Sequence, residues 1–465
     1  MSNLPSKNSY SRQFFRYFFF LEAIAFVTAI LLPSYFGYAS SRSLSTIVED
    51  GWCNSRFQGV GIHCFGDFYS MLNYVNLENP WKEGVNPYPP ISLFLLKPFK
   101  SLVNNFPGTN IGLIVYLIVC IASYLYPIVY LVRKNFIDRN YAFYVLSTSL
   151  ILAPFIMGLD RGNMQILFVP LIFTFCIYYL QDEDNKLLLI IILLTTLKPQ
   201  FVLLSLIFLT NNRIWLFLKA SFSAIVVFLI SFMLYPRNLI SNIFDWYGQI
   251  DYYQNFTNAG SPDPVNLSLA NTWSLFWRII FAEFPNLTTK DPNGRWPYYS
   301  TLITIVITML IVITIKFALD GNNKICNLYF ILCLPILLPN VTYAYYLCIL
   351  IPLFTILLST EIVRFEKNHS DRNNLLYICS SQFQEFLEPK FTRYLFSLTH
   401  FSLFIPWVIP WKLFPKFQNL RLSEMSINWV PGQMFLSFFF LTLILNAWIK
   451  YLGNYKIQIP IRKNS

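Results

Sequence analysis

The sequence predicts an all-α, polytopic membrane protein, and three observations carry that prediction. Of 465 residues, 55% are hydrophobic and only 12% are charged, whereas a soluble domain carries roughly 25% charged residues. Apolar runs recur along the whole chain, and a helix needs about 20 mostly apolar residues to cross about 30 Å of hydrocarbon at 1.5 Å per residue. No stretch has the composition of a separate soluble domain, so 1–465 reads as a single membrane domain. The 29 Tyr and 46 Phe suit lipid-facing and interfacial surfaces.

The elements follow in order. Lys7, Arg12 and Arg16 lead into the first apolar run, 14–36, which lacks a small-residue cleavage site at its end. It reads as a retained span and not a removed signal peptide. A first loop, 37–90, follows, in which 68–80 has the pattern of a short helix with an apolar face. The stretch 91–104 is too short to cross and reads as interfacial or re-entrant. Further spans are expected near 110–132, 141–157, 164–181, 186–197, 199–210, 214–235, 298–318, 325–338, 342–360, 395–411 and 430–449, about twelve in all. The pair 186–197 and 199–210 is short enough to be one broken span around Lys198-Pro199. Between the seventh and eighth spans lies a long loop, 236–297. Within it, 272–284 sets Trp273, Phe276 and Trp277 against Arg278, as an interfacial helix does. The segment 361–394 reads as a solvated polar loop. There is no internal repeat.

Charge sets the expected orientation. The net charge of +11 comes from Lys and Arg scattered over short loops, not from a stripe with interleaved aromatics, which excludes nucleic acid as a partner. With the N-terminus in the cytoplasm, cytoplasmic segments hold about 19 Lys/Arg and the other side about 14, mostly in long loops that count for less. The inner set includes Arg133, Lys134, Arg139, Arg364, Lys367 and Arg372. This orientation makes 361–394 cytoplasmic. It gathers the first loop, the Leu159-to-Met164 turn, the Lys198 break and the long loop on one outer face.

The eight cysteines show no CxxC pair and no His-rich partner, and no acidic pair suggests a metal; neither metal nor cofactor is expected. Cys53 and Cys64 share the first loop and could pair if that loop meets an oxidising compartment. Whether they do is left open. The other cysteines sit mostly in apolar runs as small hydrophobes.

Several polar residues stand where chemistry could use them. Asp67 precedes a short helix, where an Asp often serves as an N-cap; near the mouth of a membrane protein it can also act as a base. Tyr88-Pro89-Pro90 fixes the angle at which the chain re-enters the apolar phase, or forms a simple turn. In Asp160-Arg161-Gly162-Asn163-Met164-Gln165, the amides of Asn163 and Gln165 would lie at the start of a span. There they must find partners or line a cavity, and Arg161 is a candidate contact for phosphate or sugar. Lys198-Pro199-Gln200 interrupts a long apolar run. It is either a polar hairpin tip or a broken helix that seats an anion. In the long loop, Asn266, Ser268, Asn271 and Trp273 mix amides and aromatic rings as sugar sites do. Tyr343, Tyr345 and Tyr346 follow another turn, and His63 stands four residues before Asp67.

The order of these features resembles the C-type (GT-C) membrane glycosyltransferases: a first span, an acidic residue on a short helix, a Tyr-Pro-Pro re-entry, then many spans. Gly66-Asp67-Phe68, Asn86-Pro87-Tyr88-Pro89-Pro90, Arg161-Gly162-Asn163-Met164-Gln165 and Leu197-Lys198-Pro199 are similar to the polyprenyl-phosphate-sugar-dependent group that includes the bacterial family 87 mannosyltransferases. The resemblance covers about 14–360 and implies a GT-C-like bundle with amphipathic outer-face helices. It implies inverting transfer of a hexose, mannose in the named group, from a polyprenyl-phosphate donor to a lipid-linked or cell-envelope glycan acceptor. Transfer is expected on the extracytoplasmic face of a bacterial plasma membrane. Asp67 then maps to the catalytic carboxylate and Lys198 and Arg161 to donor-phosphate contacts. Tyr88, Asn163, Gln165, Gln200, Asn271 and Trp273 are the expected substrate contacts. Two other classes fit a polytopic chain with a long outer loop: a transporter or flippase of lipid-linked saccharides, and a polysaccharide polymerase or ligase. The first often shows a repeat, which is missing here. The second has no need for an acidic residue directly after the first span.

Overall fold

The computed structural model describes residues 10–36, 65–82, 86–137, 139–258, 266–269, 271–273, 296–319, 321–339, 342–363, 374–405 and 429–457. The described residues form helices and no strand; one isolated antiparallel bridge joins Asn266 to Tyr343. Lipid offers no hydrogen bonds, so a chain this apolar satisfies its backbone within helices. His63, Cys53 and Cys64 lie outside the described residues, as does most of 272–284.

The N-terminal half contains α1 (Tyr10–Phe36), α2 (Gly66–Tyr74), α3 (Pro90–Phe94), α4 (Lys97–Asn105), α5 (Ile111–Arg133), α6 (Arg139–Leu150), α7 (Ala153–Asp160), α8 (Val169–Leu180) and α9 (Asp184–Leu197). After it come α10 (Ile214–Ile230), α11 (Leu239–Asn258), α12 (Trp296–Phe317), α13 (Lys324–Leu337), α14 (Ile351–Val363), α15 (Asn374–Phe386), α16 (Lys390–Leu403) and α17 (Trp429–Ile457).

The expectation of about twelve crossings is met only in part. Among the described residues, Ile111–Arg133, Ile214–Leu234 and Pro431–Gly453 are long and apolar enough to cross a membrane. A fourth crossing is possible if Ala142–Leu150 and Ala153–Arg161, bent by 57°, count as one. The bend has a local cause. Leu152 is extended (φ −61°, ψ 130°), and Pro154 in the first turn of α7 brings no N–H to bridge the break. Other apolar runs, such as Lys324–Leu337 and Ile351–Thr360, make shorter helices.

Two segments read as loops hold helices instead. Within 236–297, α11 packs Leu239, Ile243 and Trp246 against Trp81, Leu93, Phe228, Phe232 and Tyr235. Within 361–394, α15 buries Cys379, Phe383 and Phe386, so the described residues 374–394 are packed and not a solvated polar loop. Its apolar residues recur at helical spacing, which the surrounding polar residues masked. The stretch 91–104 forms the two short helices α3 and α4. Away from the core, α10 exposes Trp215, Leu218, Phe222 and Ile225, the surface expected of a helix facing lipid.

The break at Lys198 is present. α9 ends at Leu197, Lys198 is extended (φ −149°, ψ 121°), and a 3-10 helix, Pro199–Leu206, resumes the run. A second 3-10 helix, Met164–Phe168, precedes α8, and a third, Ala344–Ile349, precedes α14.

Candidate active site

The start of α2 is stitched to the turn after α7. Phe65 N donates to Asp160 O at 2.8 Å and Asp67 N to Arg161 O at 3.0 Å. Gly162 makes this approach possible: its φ is +63°, and a Cβ there would meet Phe68 Cβ at 2.7 Å. Tyr116 donates to Gly162 O at 2.9 Å, and its ring packs on that of Phe68 at 4.5 Å.

This stitching decides the surroundings of Asp67. Phe65, in left-handed conformation, occupies the cap position of α2 with no side-chain bond, and Asp67 stands in the first turn. The carboxylate therefore is not an N-cap. Oδ1 accepts from Arg161 Nη2 at 2.9 Å, and Oδ2 accepts from Arg161 Nε at 3.2 Å and Asn163 Nδ2 at 2.7 Å. Asn163 is fixed at its other end, where Oδ1 accepts from Gln165 N at 3.0 Å. An ionised carboxylate has about four acceptor positions. Three are filled by these bonds, which leaves one on Oδ1.

Lys198 forms the second pole. The carbonyl of Leu197, orphaned at the end of α9, accepts from Ser92 Oγ on α3 at 2.5 Å, which ties the proline re-entry to the break. Lys198 is 7% exposed. Its Nζ donates to Tyr346 Oη at 2.5 Å and lies 4.2 Å from the centre of the Tyr346 ring and 5.6 Å from that of Tyr88. Lys198 stands in the break, outside the apolar helices on either side. Burial lowers its ammonium to about 7, with the charge of Asp67 pulling the other way.

A cavity of about 210 Å³ opens beside this lysine, lined among others by Tyr88, Lys198, Gln200, Trp246, Tyr343, Tyr345 and Tyr346. Its proline wall is held by two indoles: Trp81 Nε1 donates to Tyr88 O at 2.9 Å, and Trp246 Nε1 to Pro87 O at 3.2 Å. Asn79 Nδ2 donates to Asp245 Oδ2 at 2.6 Å and keeps α11 in place. The opposite wall is a ladder of tyrosine rings. Tyr343 lies 5.8 Å from Tyr345, and Tyr345 stacks on Tyr346 at 5.5 Å. Arg161 sits over Tyr343 and Tyr345 at 5.9 and 5.8 Å, so both cations lie against the ladder.

A model described as glycosyltransferase family 87 matches residues 86–339. The chain belongs to glycosyltransferase family 87. No curated protein and no solved structure matches it. The family 87 match includes Tyr88, Arg161, Asn163, Gln165, Lys198 and Gln200. Asp67 precedes it, and Tyr345 and Tyr346 follow it. The apolar helices and the family together identify a membrane glycosyltransferase.

Within this family 87 enzyme, the structure brings together most of the residues singled out in the sequence. Asp67, Arg161 and Asn163 form one cluster. Tyr88, Lys198 and Gln200 line the cavity, and Gln200 Nε2 donates to Pro335 O at 3.2 Å. Gln165 is buried beside the Tyr346 hydroxyl. Asn271 and Trp273 are not among the lining residues. Asn271 is buried and donates to Asn266 O at 2.6 Å and Gln433 Oε1 at 3.4 Å, while Trp273 is 39% exposed. The Asn266 segment acts as a clamp: Asn266 Oδ1 accepts from Thr342 N at 2.9 Å, and Leu267 N donates to Thr342 O at 2.6 Å, directly before the ladder. Among the described residues, no three His, Cys, Asp or Glu side chains cluster to hold a metal.

Trp246 and Ile250 are cavity residues that the sequence reading missed. The signal was present, because Leu239, Ile243, Trp246 and Ile250 recur at the spacing of one helix face.

Proposed function

We propose that this family 87 glycosyltransferase transfers a hexose, mannose, from a polyprenyl-phosphate donor to a lipid-linked or cell-envelope glycan acceptor, with inversion. The reaction takes place on the extracytoplasmic face of a bacterial plasma membrane. The observation that supports this is a single carboxylate, oriented by Arg161 and Asn163 with one acceptor position left on Oδ1, and close enough to the buried ammonium of Lys198 in the cavity wall for its charge to act on it.

In the proposed step Asp67 Oδ1 takes the proton of the acceptor hydroxyl. The acceptor oxygen forms a bond to the anomeric carbon from the face opposite the phosphate. The bond from that carbon to the phosphate oxygen breaks, and its electron pair leaves with polyprenyl phosphate. Asp67 afterwards returns the proton to water. One carboxylate suffices, because a phosphate leaves without a proton, whereas cleaving a sugar ether takes a pair. Lys198 holds the donor phosphate. Arg161 has five N–H groups and gives two to Asp67, so one guanidinium can orient the base and still offset charge building on the phosphate.

Asp67→Asn tests this reading, because it keeps the shape and removes the base. Sugar transfer from a polyprenyl-phosphate donor should fall about 100- to 10,000-fold, with the variant still folded and inserted. Transfer at the wild-type rate would sink the proposal.

A further inference from the structure

Lys198 is buried, and among the described residues no carboxylate pairs with it within 4.0 Å. Its hydrogen-bond partner is a neutral phenol, Tyr346. A buried cation is costly unless an anion or water meets it. A second observation points to the same spot. Gln165 is 1% exposed and its amide interacts with the Tyr346 hydroxyl beside it, yet neither its Oε1 nor its Nε2 makes a hydrogen bond of good geometry. A buried primary amide with both ends unmatched is rare in a folded protein.

We propose that Lys198, Tyr346 and Gln165 form one three-donor seat for the phosphate of a prenyl monophosphate, and that Tyr346 is a catalytic residue of sugar transfer. The proposal rests on the reading of Lys198 as the donor-phosphate contact. The Tyr346 oxygen accepts from Lys198. When a phosphate enters, Lys198 donates to one non-bridging oxygen and Tyr346 turns its own O–H onto another. Gln165 Nε2 supplies the third bond. No proton leaves the phenol. As the anomeric C–O bond breaks, its electron pair adds charge to the phosphate, and the three donors strengthen without rearranging. The stacking of Tyr346 on Tyr345, at 5.5 Å, holds the phenol in this register. One cation and two neutral donors match one phosphate. Among the residues that line the cavity, Lys198 alone carries a charge, so the cavity itself offers no second ammonium or guanidinium to a second phosphate.

Binding to the purified full-length enzyme in nanodiscs tests this with three probes: farnesyl phosphate, farnesyl diphosphate and inorganic phosphate. Tyr346→Phe keeps the ring and removes only the hydroxyl. It should weaken farnesyl phosphate about 10- to 100-fold, and Gln165→Leu about 2- to 10-fold. In the transfer assay Tyr346→Phe should lower kcat more than it raises KM, since the bond strengthens as the phosphate leaves. Farnesyl diphosphate should bind more weakly than the monophosphate. Unchanged farnesyl phosphate binding in Tyr346→Phe, with binding lost in Lys198→Met, overturns the role of Tyr346 and leaves the Lys198 reading intact. Unchanged binding in Lys198→Met overturns both. Inorganic phosphate binding as tightly as the prenyl ester assigns the seat to free phosphate and overturns the lipid assignment.

Discussion

Arg161 grips Asp67 with two hydrogen bonds, at 2.9 and 3.2 Å, across 94 residues of chain. The pair is partly open to solvent, with side-chain exposures of 30% and 15%. Arg161→Lys cannot reproduce the planar fork. At this exposure its effect on stability should be small, about 1 kcal/mol or less. The effect on transfer should be large, about tenfold or more, because a tilted carboxylate no longer meets the acceptor hydroxyl. Comparing thermal unfolding with kcat separates the two. A loss of stability matching the loss of rate would mean that the pair is merely structural.

Gly162→Ala should damage both fold and catalysis. The residue needs a positive φ, and a Cβ would press on Phe68 in α2. The cost should be about 1–3 kcal/mol, visible as a lowered melting temperature. The strain bears on the helix that carries Asp67, so residual folded protein should also transfer sugar slowly. Wild-type behaviour would show that the turn tolerates a side chain.

Lys198 gives the donor site a pH dependence. Burial lowers its ammonium to about 7, and an anion binds the charged form. Affinity for a prenyl phosphodiester, whose single charge does not titrate in this range, should be full below about 7. It should fall as pH rises through that value, by roughly tenfold per unit above it. Lys198→Arg keeps its charge throughout and should give a flat profile. Dissociation constants at pH 6 and 8.5 decide it; equal wild-type values would remove Lys198 from the phosphate site.

Asn266→Ala should loosen the tyrosine ladder from a distance. It removes the acceptor for Thr342 N and leaves that buried N–H unmatched, at about 1–3 kcal/mol. The KM for donor should rise more than kcat falls. Asn266→Asp retains the acceptor oxygen and should rescue KM; failure to rescue would assign the asparagine a different role.

Much of the site was legible in the sequence because polar groups inside apolar runs are expensive, and an expense retained in one place marks a purpose. Asn163 and Lys198 stood out in this way, Asp67 and Arg161 as charges at the mouths of such runs, and three of the four meet directly. Tyr345 and Tyr346 were noticed after a turn but given no role, because 29 tyrosines in a lipid-soluble chain make any one of them ordinary. Trp246 was hidden because polar residues around α11 made its segment look like a loop. Asn271 had sugar-binding chemistry in its side chain, yet its amide is spent on Asn266 and Gln433.

The sequence by itself determined the solvent of this protein, its helical class, the break at Lys198 and the short list of polar groups worth following. Those are local properties, set by hydropathy, by the length needed to cross lipid, and by proline. Only the tertiary structure decided partners. It turned Asp67 from a possible helix cap into a carboxylate held by Arg161 and Asn163. It set Lys198 against Tyr346, 148 residues away. It stacked Tyr345 on Tyr346, with Arg161 against the first ring and Lys198 against the second. Such pairings depend on which distant helices pack together, and packing is settled by the shape of buried surfaces that no single stretch of sequence contains.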